Sequence, residues 1–196
     1  MTEPRKSDQT RQRILDTGRG LVLRVGFTGM GLSELLAASG VPKGSFYHYF
    51  ASKEAFGCVL LQDYVADYLA RMDDLVAAPQ PGGERLMRYG QAWLAGDGAP
   101  SIAETCLVVK LASEIADLSE DMRRIVDAGV GQLVARLERI LVEGVADGSI
   151  RPLADPAQAA RLLYGLWLGA AVLAKLGRSE QALRDALADT RQRFLP

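Results

Sequence analysis

The sequence is poor in sulfur, nearly without histidine and lacks a long greasy run, and each shortage removes a class of protein. Two cysteines, Cys58 and Cys106, cannot build the disulfide framework of a small secreted domain. The only histidine, His48, belongs to no Ser-His-Asp set. No metal-ligand cluster or phosphate-binding glycine loop appears either, so neither an enzyme, a resident metal nor a cofactor is expected. No apolar run opens the chain, which argues against a signal peptide. The longest such run, Leu162 to Ala174, spans 13 residues and stops at Lys175, short of the roughly 20 that cross a bilayer. Gly165 and Gly169 within it read as close helix packing. A cytoplasmic protein with no membrane partner is the simplest reading. Net charge is also scarce, at −1, but it is uneven. Residues 1–53 carry eight Lys or Arg against four acids, a net +4, which leaves −5 for the rest. Such asymmetry reads either as a polyanion site in the amino-terminal part or as a chance imbalance of two solvated surfaces.

Alternating apolar residues are missing as well; nearly every window has helical spacing. Ile14, Leu15, Leu21, Val22 and Val25 mark a first helix closed by Gly26. Leu32, Leu35 and Leu36 mark a second closed by Gly40. A third opens at Pro42, whose missing N–H costs nothing in a first turn, and stops near Phe50. Ser52 caps a long fourth helix that ends at "APQPGG". Further helices are expected over about 84–95, 105–116, 119–146 (capped by Ser119), 155–177 (Asp155 cap, then Pro156) and 180–194. The sum is an all-α chain of nine helices without a strand. The boundary between short and long helices divides it into residues 1–52 and 53–196.

The stretch "VPKGSFYHYFASKEAF" carries the first functional signal. The second and third helices meet at "ASGVPK", a short turn with Gly40, which is helix-turn-helix spacing. Phe46 and Phe50 lie four apart and give the third helix an apolar back. Lys43, Gly44, Ser45, Tyr47 and His48 give it a polar front. Gly44 admits close backbone approach, first-turn N–H groups bind phosphate, and Lys53 can neutralise another phosphate. The longer segment "GFTGMGLSELLAASGVPKGSFYHYFASKEAF", residues 26–56, closely resembles the signature of the TetR family of bacterial transcriptional repressors. That resemblance implies an amino-terminal DNA-binding head and a helical ligand-sensing, dimerising body. It implies Ser45, Tyr47 and His48 facing double-stranded operator DNA, with Tyr49 and Lys53 on its backbone. Two positions depart from the pattern: Tyr49 stands where many members have His, and Met30-Gly31 where many have a Thr or Ser cap.

Near the carboxyl end, Leu162, Leu163, Leu166, Trp167, Ala170 and Ala171 make one helix apolar nearly all round, which demands cover on more than one side. With Leu183, Ala186 and Leu187 on the last helix, they read as ordinary core or as an interface. The resemblance implies a homodimer built on Leu162, Leu166, Trp167, Ala170, Leu183 and Leu187. Two-fold symmetry then implies inverted-repeat half-sites about one turn, roughly 34 Å, apart.

The segment "ETCLVVKLASEIADLSEDM" carries the second signal. Thr105 reads as a helix cap, placing Cys106 in the first turn, where the helix dipole and Lys110 one turn on favour a thiolate. The other reading of Cys106 is a small inert hydrophobe. Lys175 is the only charge between Arg161 and Arg178. It is either the solvated end of its helix or partly neutral and nucleophilic. The segments "CLVVKLASEIADLSEDMR" and "LLYGLWLGAAVLAKLGRS" resemble a repressor type within the family that responds to electrophiles and oxidants. That likeness implies Cys106 as the sensing sulfur, with Lys175 implicated. The alternative is a reversible ligand such as a small unsaturated acid, in a pocket of Tyr64, Tyr68, Met87, Trp93 and Met122.

Overall fold

The computed structural model describes residues 6–94, 96 and 100–196. They form helices only: α1 Lys6–Gly29, α2 Leu32–Ser39, α3 Lys43–Tyr49, α4 Lys53–Ala77, α5 Gly82–Gln91, α6 Ile102–Thr105, α7 Leu107–Leu118, α8 Glu120–Ala146, α9 Pro156–Gly177 and α10 Gln181–Phe194. Nine of them are the expected helices. The tenth, α6, is a single turn in a stretch that reads as loop. The all-α architecture stands, with no strand among the described residues.

Most helix ends form where the side-chain chemistry places them. Ala55 N–H donates to Ser52 Oγ at 3.0 Å, Met122 N–H to Ser119 Oγ at 3.3 Å and Gln158 N–H to Asp155 Oδ1 at 2.9 Å. Each satisfies an amide that the helix itself cannot pair. Gly31 caps α2 without any side-chain hydrogen bond, as its residue type requires. Gly40 ends α2 at φ 63°, a left-handed conformation that glycine adopts without steric cost.

The chain divides into two compact units, residues 1–65 with 110–127 and residues 66–109 with 128–196. In the first, Phe46, Phe50 and Phe56 are buried to 2% exposure or less. Their ring centroids stand 5.1–5.7 Å apart, a spacing at which aromatic pairs attract beyond their buried area. This cluster fixes α3 by its apolar back. In the second unit, Trp93 and Trp167 are fully buried and stacked at 5.9 Å. Gly82 lets α5 press onto α8, because a Cβ there would run into the Gly144 backbone. Arg85, 5% exposed, donates to Val76 O at 2.6 Å and pairs with Glu143 at 2.7 Å, so the buried charge is neutralised.

Although α9 is long and apolar enough to cross a bilayer by composition alone, Ala160, Leu163, Tyr164, Trp167, Ala170 and Ala171 are buried in the protein's own core. Its outer face leaves Leu162, Val172, Leu173 and Leu176 exposed, the last at 78%. Gly82→Ala should therefore lower stability by about 1–3 kcal/mol through overpacking. Gly131→Ala, on a part of α8 with open space around it, should raise it by about 0.5–1 kcal/mol. Paired thermal melts that moved in the same direction would contradict this packing.

Candidate DNA-reading head and sensor site

In the first unit, α3 displays what its sequence promises. Lys43, Gly44, Tyr47 and His48 are exposed, Ser45 and Tyr49 half-buried, while Phe46 and Phe50 face inward. Tyr49 packs edge-on against His48 at 5.1 Å. Lys53 is half-buried. Its ammonium lies 5.0 Å over the Phe27 ring and donates to Thr28 O at 3.4 Å, so its charge is held beside the end of α1. Arg24 and Glu34 tie α1 to α2 at 2.6 Å.

The end of α1 is where the head meets α7, an arrangement that periodicity does not reveal. Gly26, at φ 81°, breaks the helix; an L side chain there would be strained, and its Cβ would press on Glu114 Oε2. Past the break, Phe27 N–H donates to Glu114 Oε2 at 3.2 Å and Thr28 N–H to Glu114 Oε1 at 2.5 Å. One carboxylate on α7 thus takes both amides that the kink sets free. Lys110, also on α7, donates to Arg24 O at 3.4 Å. That hydrogen bond is to the head, not to the sulfur that sequence reasoning paired it with. Burial pushes the Glu114 carboxyl up, but the Thr28 and Phe27 bonds and the Lys110 charge outweigh it and hold it below its ordinary value. Met122 and Phe27 close on Gly57, and Ser119 Oγ–H donates to Glu54 at 2.6 Å.

In the second unit, the helix start lies one residue later than expected. Ser101 and Glu104 form a reciprocal capping box that makes α6, and Thr105 ends that turn instead of opening a helix. Cys106 is extended, at φ −71° and ψ 112°. Val109 N–H donates to its sulfur at 3.4 Å. The thiol is therefore the N-cap of α7, with the sulfur taking the place of a serine oxygen. Cys106 is 2% exposed, and neither Cys58 nor Cys106 is in a disulfide. Burial, then Asp121 and Glu54, push the Cys58 thiol up from its ordinary value, which disfavours its thiolate.

Lys175 is exposed on the last turn of α9 and lines an opening of about 190 Å³ with Ser101, Ala103, Glu104 and Arg178. Its surroundings thus include the wall of α6, the turn that leads into Cys106. A larger cavity, about 580 Å³, is lined by Tyr68, Arg71, Met72, Tyr89, Ser101 and Thr105 among others. Of the five residues expected in a ligand pocket, only Tyr68 lines this cavity. Met87 lines a separate opening of about 670 Å³, Trp93 is sealed in the core, and Tyr64 and Met122 belong to the first unit. Tyr89, which sequence reasoning did not single out, also lines the cavity of about 580 Å³. Burial first, then the neighbouring Tyr68, push its hydroxyl well up, and the Cys106 sulfur adds to the effect. Burial and the same sulfur raise Tyr164.

Of the expected interface residues, Leu162 is exposed and Leu166 and Leu187 are half-buried, while Trp167, Ala170 and Leu183 are 0%, 6% and 2% exposed. Those three hold the chain's own core. The apolar surface that α9 leaves open is Leu162, Val172, Leu173 and Leu176.

Two sequence profiles match the chain: "Bacterial regulatory proteins, tetR family" over residues 14–56, and "Tetracyclin repressor-like, C-terminal domain" over residues 82–190. The chain is 44% identical over 180 residues to the HTH-type transcriptional repressor NemR of Escherichia coli (strain K12), covering 91% of this chain and 90% of that one. It is 32% identical over 190 residues to the HTH-type transcriptional repressor DhaR of Mycobacterium sp. (strain GP1), covering 95% and 92%. The crystal structure of E. coli NemR in its reduced form matches with a TM-score of 0.88 at 43% identity, over 96% of this chain and 98% of that chain.

The carboxylate grip on α1 has a pH signature. A carboxyl held below its ordinary value of 4.5 contributes stability that is fully present above that value and lost as pH falls through its lowered folded value. Glu114→Gln should thus be less stable than the parent at pH 7, and the difference should shrink below about pH 4.5. A gap independent of pH between 7 and 3 in denaturant titrations would contradict the grip.

Proposed function

This chain belongs to the TetR family of bacterial transcriptional repressors, and on that premise we propose that it holds its operator while Cys106 is an unmodified thiol and releases it when an electrophile or oxidant modifies that sulfur. The observation that carries the reading is the cap. The sulfur that would be modified is the acceptor that starts α7, and the same helix ends in the unit of the head, where Glu114 holds Phe27 and Thr28. Alkylation or oxidation takes away the acceptor geometry at one end of α7. The helix start then repacks, and the grip on α1 at its other end shifts.

The chemistry closes without further groups. A Michael acceptor adds to the thiolate directly. Hypochlorous acid transfers chlorine to the thiolate and leaves hydroxide. An amine such as Lys175 then displaces chloride from the sulfur, forming an S–N bond and giving its proton to solvent; oxidised cysteine sulfur does condense with nitrogen. Moving a two-state repressor from 1:99 to 99:1 takes about 5.5 kcal/mol of differential stabilisation, within reach of a covalent change.

In this reading the operator is an inverted repeat read by a cytoplasmic homodimer. Leu162, Val172, Leu173 and Leu176 form the exposed apolar core of the joint, with Leu166 and Leu187 beside them. Lys43, Gly44, Ser45, Tyr47 and His48 meet the DNA, with Tyr49 and Lys53 at its backbone. A second reading, release by a reversible ligand such as a small unsaturated acid, is favoured by the cavity of about 580 Å³, large enough for a small organic molecule.

Cys106→Ser should bind operator DNA in a gel shift and keep it in the presence of N-ethylmaleimide or hypochlorite. A serine variant that lets go normally would sink the covalent reading. Saturable calorimetric binding of a non-reactive ligand to that variant would favour the second. Lys53→Ala should weaken binding about equally for all sequences and reduce the salt slope by about 1; an unchanged slope would remove Lys53 from the phosphate contacts.

A further inference from the structure

Two charged side chains from different helices meet on the backbone of Thr28. Glu114 of α7 accepts its N–H, and Lys53 of α4 donates to its carbonyl at 3.4 Å. Phe27, the residue before it, is held from the same two sides. Glu114 also accepts the Phe27 N–H, and the Lys53 ammonium lies 5.0 Å over the Phe27 ring. Phe27 is 5% exposed. Its ring lies against Gly57, where a Cβ would come within 2.7 Å of it. Gly57 stands four residues after Lys53 and so on the same side of α4. The ring is therefore a floor beneath Lys53, and Glu114 holds the backbone that carries this floor. All of these residues belong to the first unit.

An ammonium has three donors. The Thr28 carbonyl uses one and the ring attracts the charge from below, which leaves two donors for an acceptor outside the protein. Ordering a loose lysine costs side-chain entropy at the moment of binding, and Lys53 is already held. We propose that Glu114 is a positioning residue for operator binding: by fixing Phe27 and Thr28 it holds the Lys53 ammonium in place for a DNA phosphate. The inference rests on the reading of Lys53 as a phosphate contact, and it extends the grip on α1 to the DNA itself. It also carries a sign that bulk charge does not. Glu114 is an acid in the unit of a basic head, so by Coulomb attraction alone its neutralisation should strengthen binding to a polyanion. A residue that positions Lys53 does the opposite. Glutamine in its place keeps an acceptor for one amide but turns an NH2 donor toward the other, so the floor loosens and binding weakens.

The test is a double-mutant cycle on the full-length protein, with a duplex that the parent selects from a random-sequence pool as the probe. Affinity is read by fluorescence anisotropy across a series of salt concentrations for the parent, Glu114→Gln, Lys53→Ala and the double variant, each checked for folding by circular dichroism. Glu114→Gln should weaken binding about threefold or more and lower the salt slope toward that of Lys53→Ala, by up to about 1. In the Lys53→Ala background the same substitution should cause no further weakening. Tighter binding by Glu114→Gln would overturn the proposal, because bulk charge then decides. Equal weakening with and without Lys53 would also overturn it, because Glu114 then only firms the head. Phe27→Leu provides the second arm if Glu114→Gln folds poorly. It removes the ring and keeps both amides, so its loss of affinity should likewise vanish without Lys53, and an equal loss in both backgrounds counts against the inference. If Lys53→Ala leaves affinity and slope unchanged, the phosphate reading fails and takes this inference with it. A Lys53→Ala slope that falls while the Glu114→Gln slope stays at the parent's value fails this inference alone.

Discussion

One weak contact starts the account: the Val109 amide donating to the Cys106 sulfur. A thiol sulfur is a soft, poor acceptor, so α7 opens on the least secure of the helix caps here with a side-chain acceptor, the rest of which use oxygen. That is unfavourable for stability and favourable for a switch. A thiol sulfur, unlike a hydroxyl or carboxylate oxygen, is open to alkylation and oxidation, and either change alters size, charge and lone pairs. A serine at the same place would cap with an oxygen, the better acceptor.

The rest of the structure makes that end of α7 matter. Glu114 and Lys110 sit on the part of α7 that belongs to the unit of the head, and both hold the backbone around the break in α1. The break exists because Gly26 adopts a conformation that frees two amides. A continuous helix would have left nothing for Glu114 to hold. Behind α3, the cluster of Phe46, Phe50 and Phe56 keeps that helix in place. The polar front of α3 is exposed from Lys43 to His48 apart from Phe46 and the half-buried Ser45.

Much of this could be read from the chain. The caps at Ser52, Ser119 and Asp155 are local chemistry, and so are the turn at Gly40 and the apolar back of α3. The extra turn α6 was legible too, in the Ser101-x-x-Glu104 spacing, but the surrounding glycine and proline hid it. Missing it moved the expected cap from Cys106 to Thr105. Glu114 was beyond reach, because its partners are backbone amides 86 and 87 residues away and no side-chain pattern marks them. Apolar periodicity also could not divide α9 into the face that seals Trp167 inside and the face that leaves Leu173 and Leu176 outside, since both faces are equally greasy. Tyr89 gave no signal either: its burial beside a cavity is a property of three-dimensional packing alone.

The central claim is that the sulfur cap, α7 and the carboxylate grip are one mechanical connection. Amide hydrogen exchange, followed residue by residue by NMR in a Cys58→Ser protein before and after Cys106 is alkylated, tests it most directly. Protection should fall together at Val109, which loses its acceptor, and at Phe27 and Thr28, which Glu114 holds. Complete modification of Cys106 that exposes Val109 but leaves Phe27 and Thr28 as protected as before would contradict the connection.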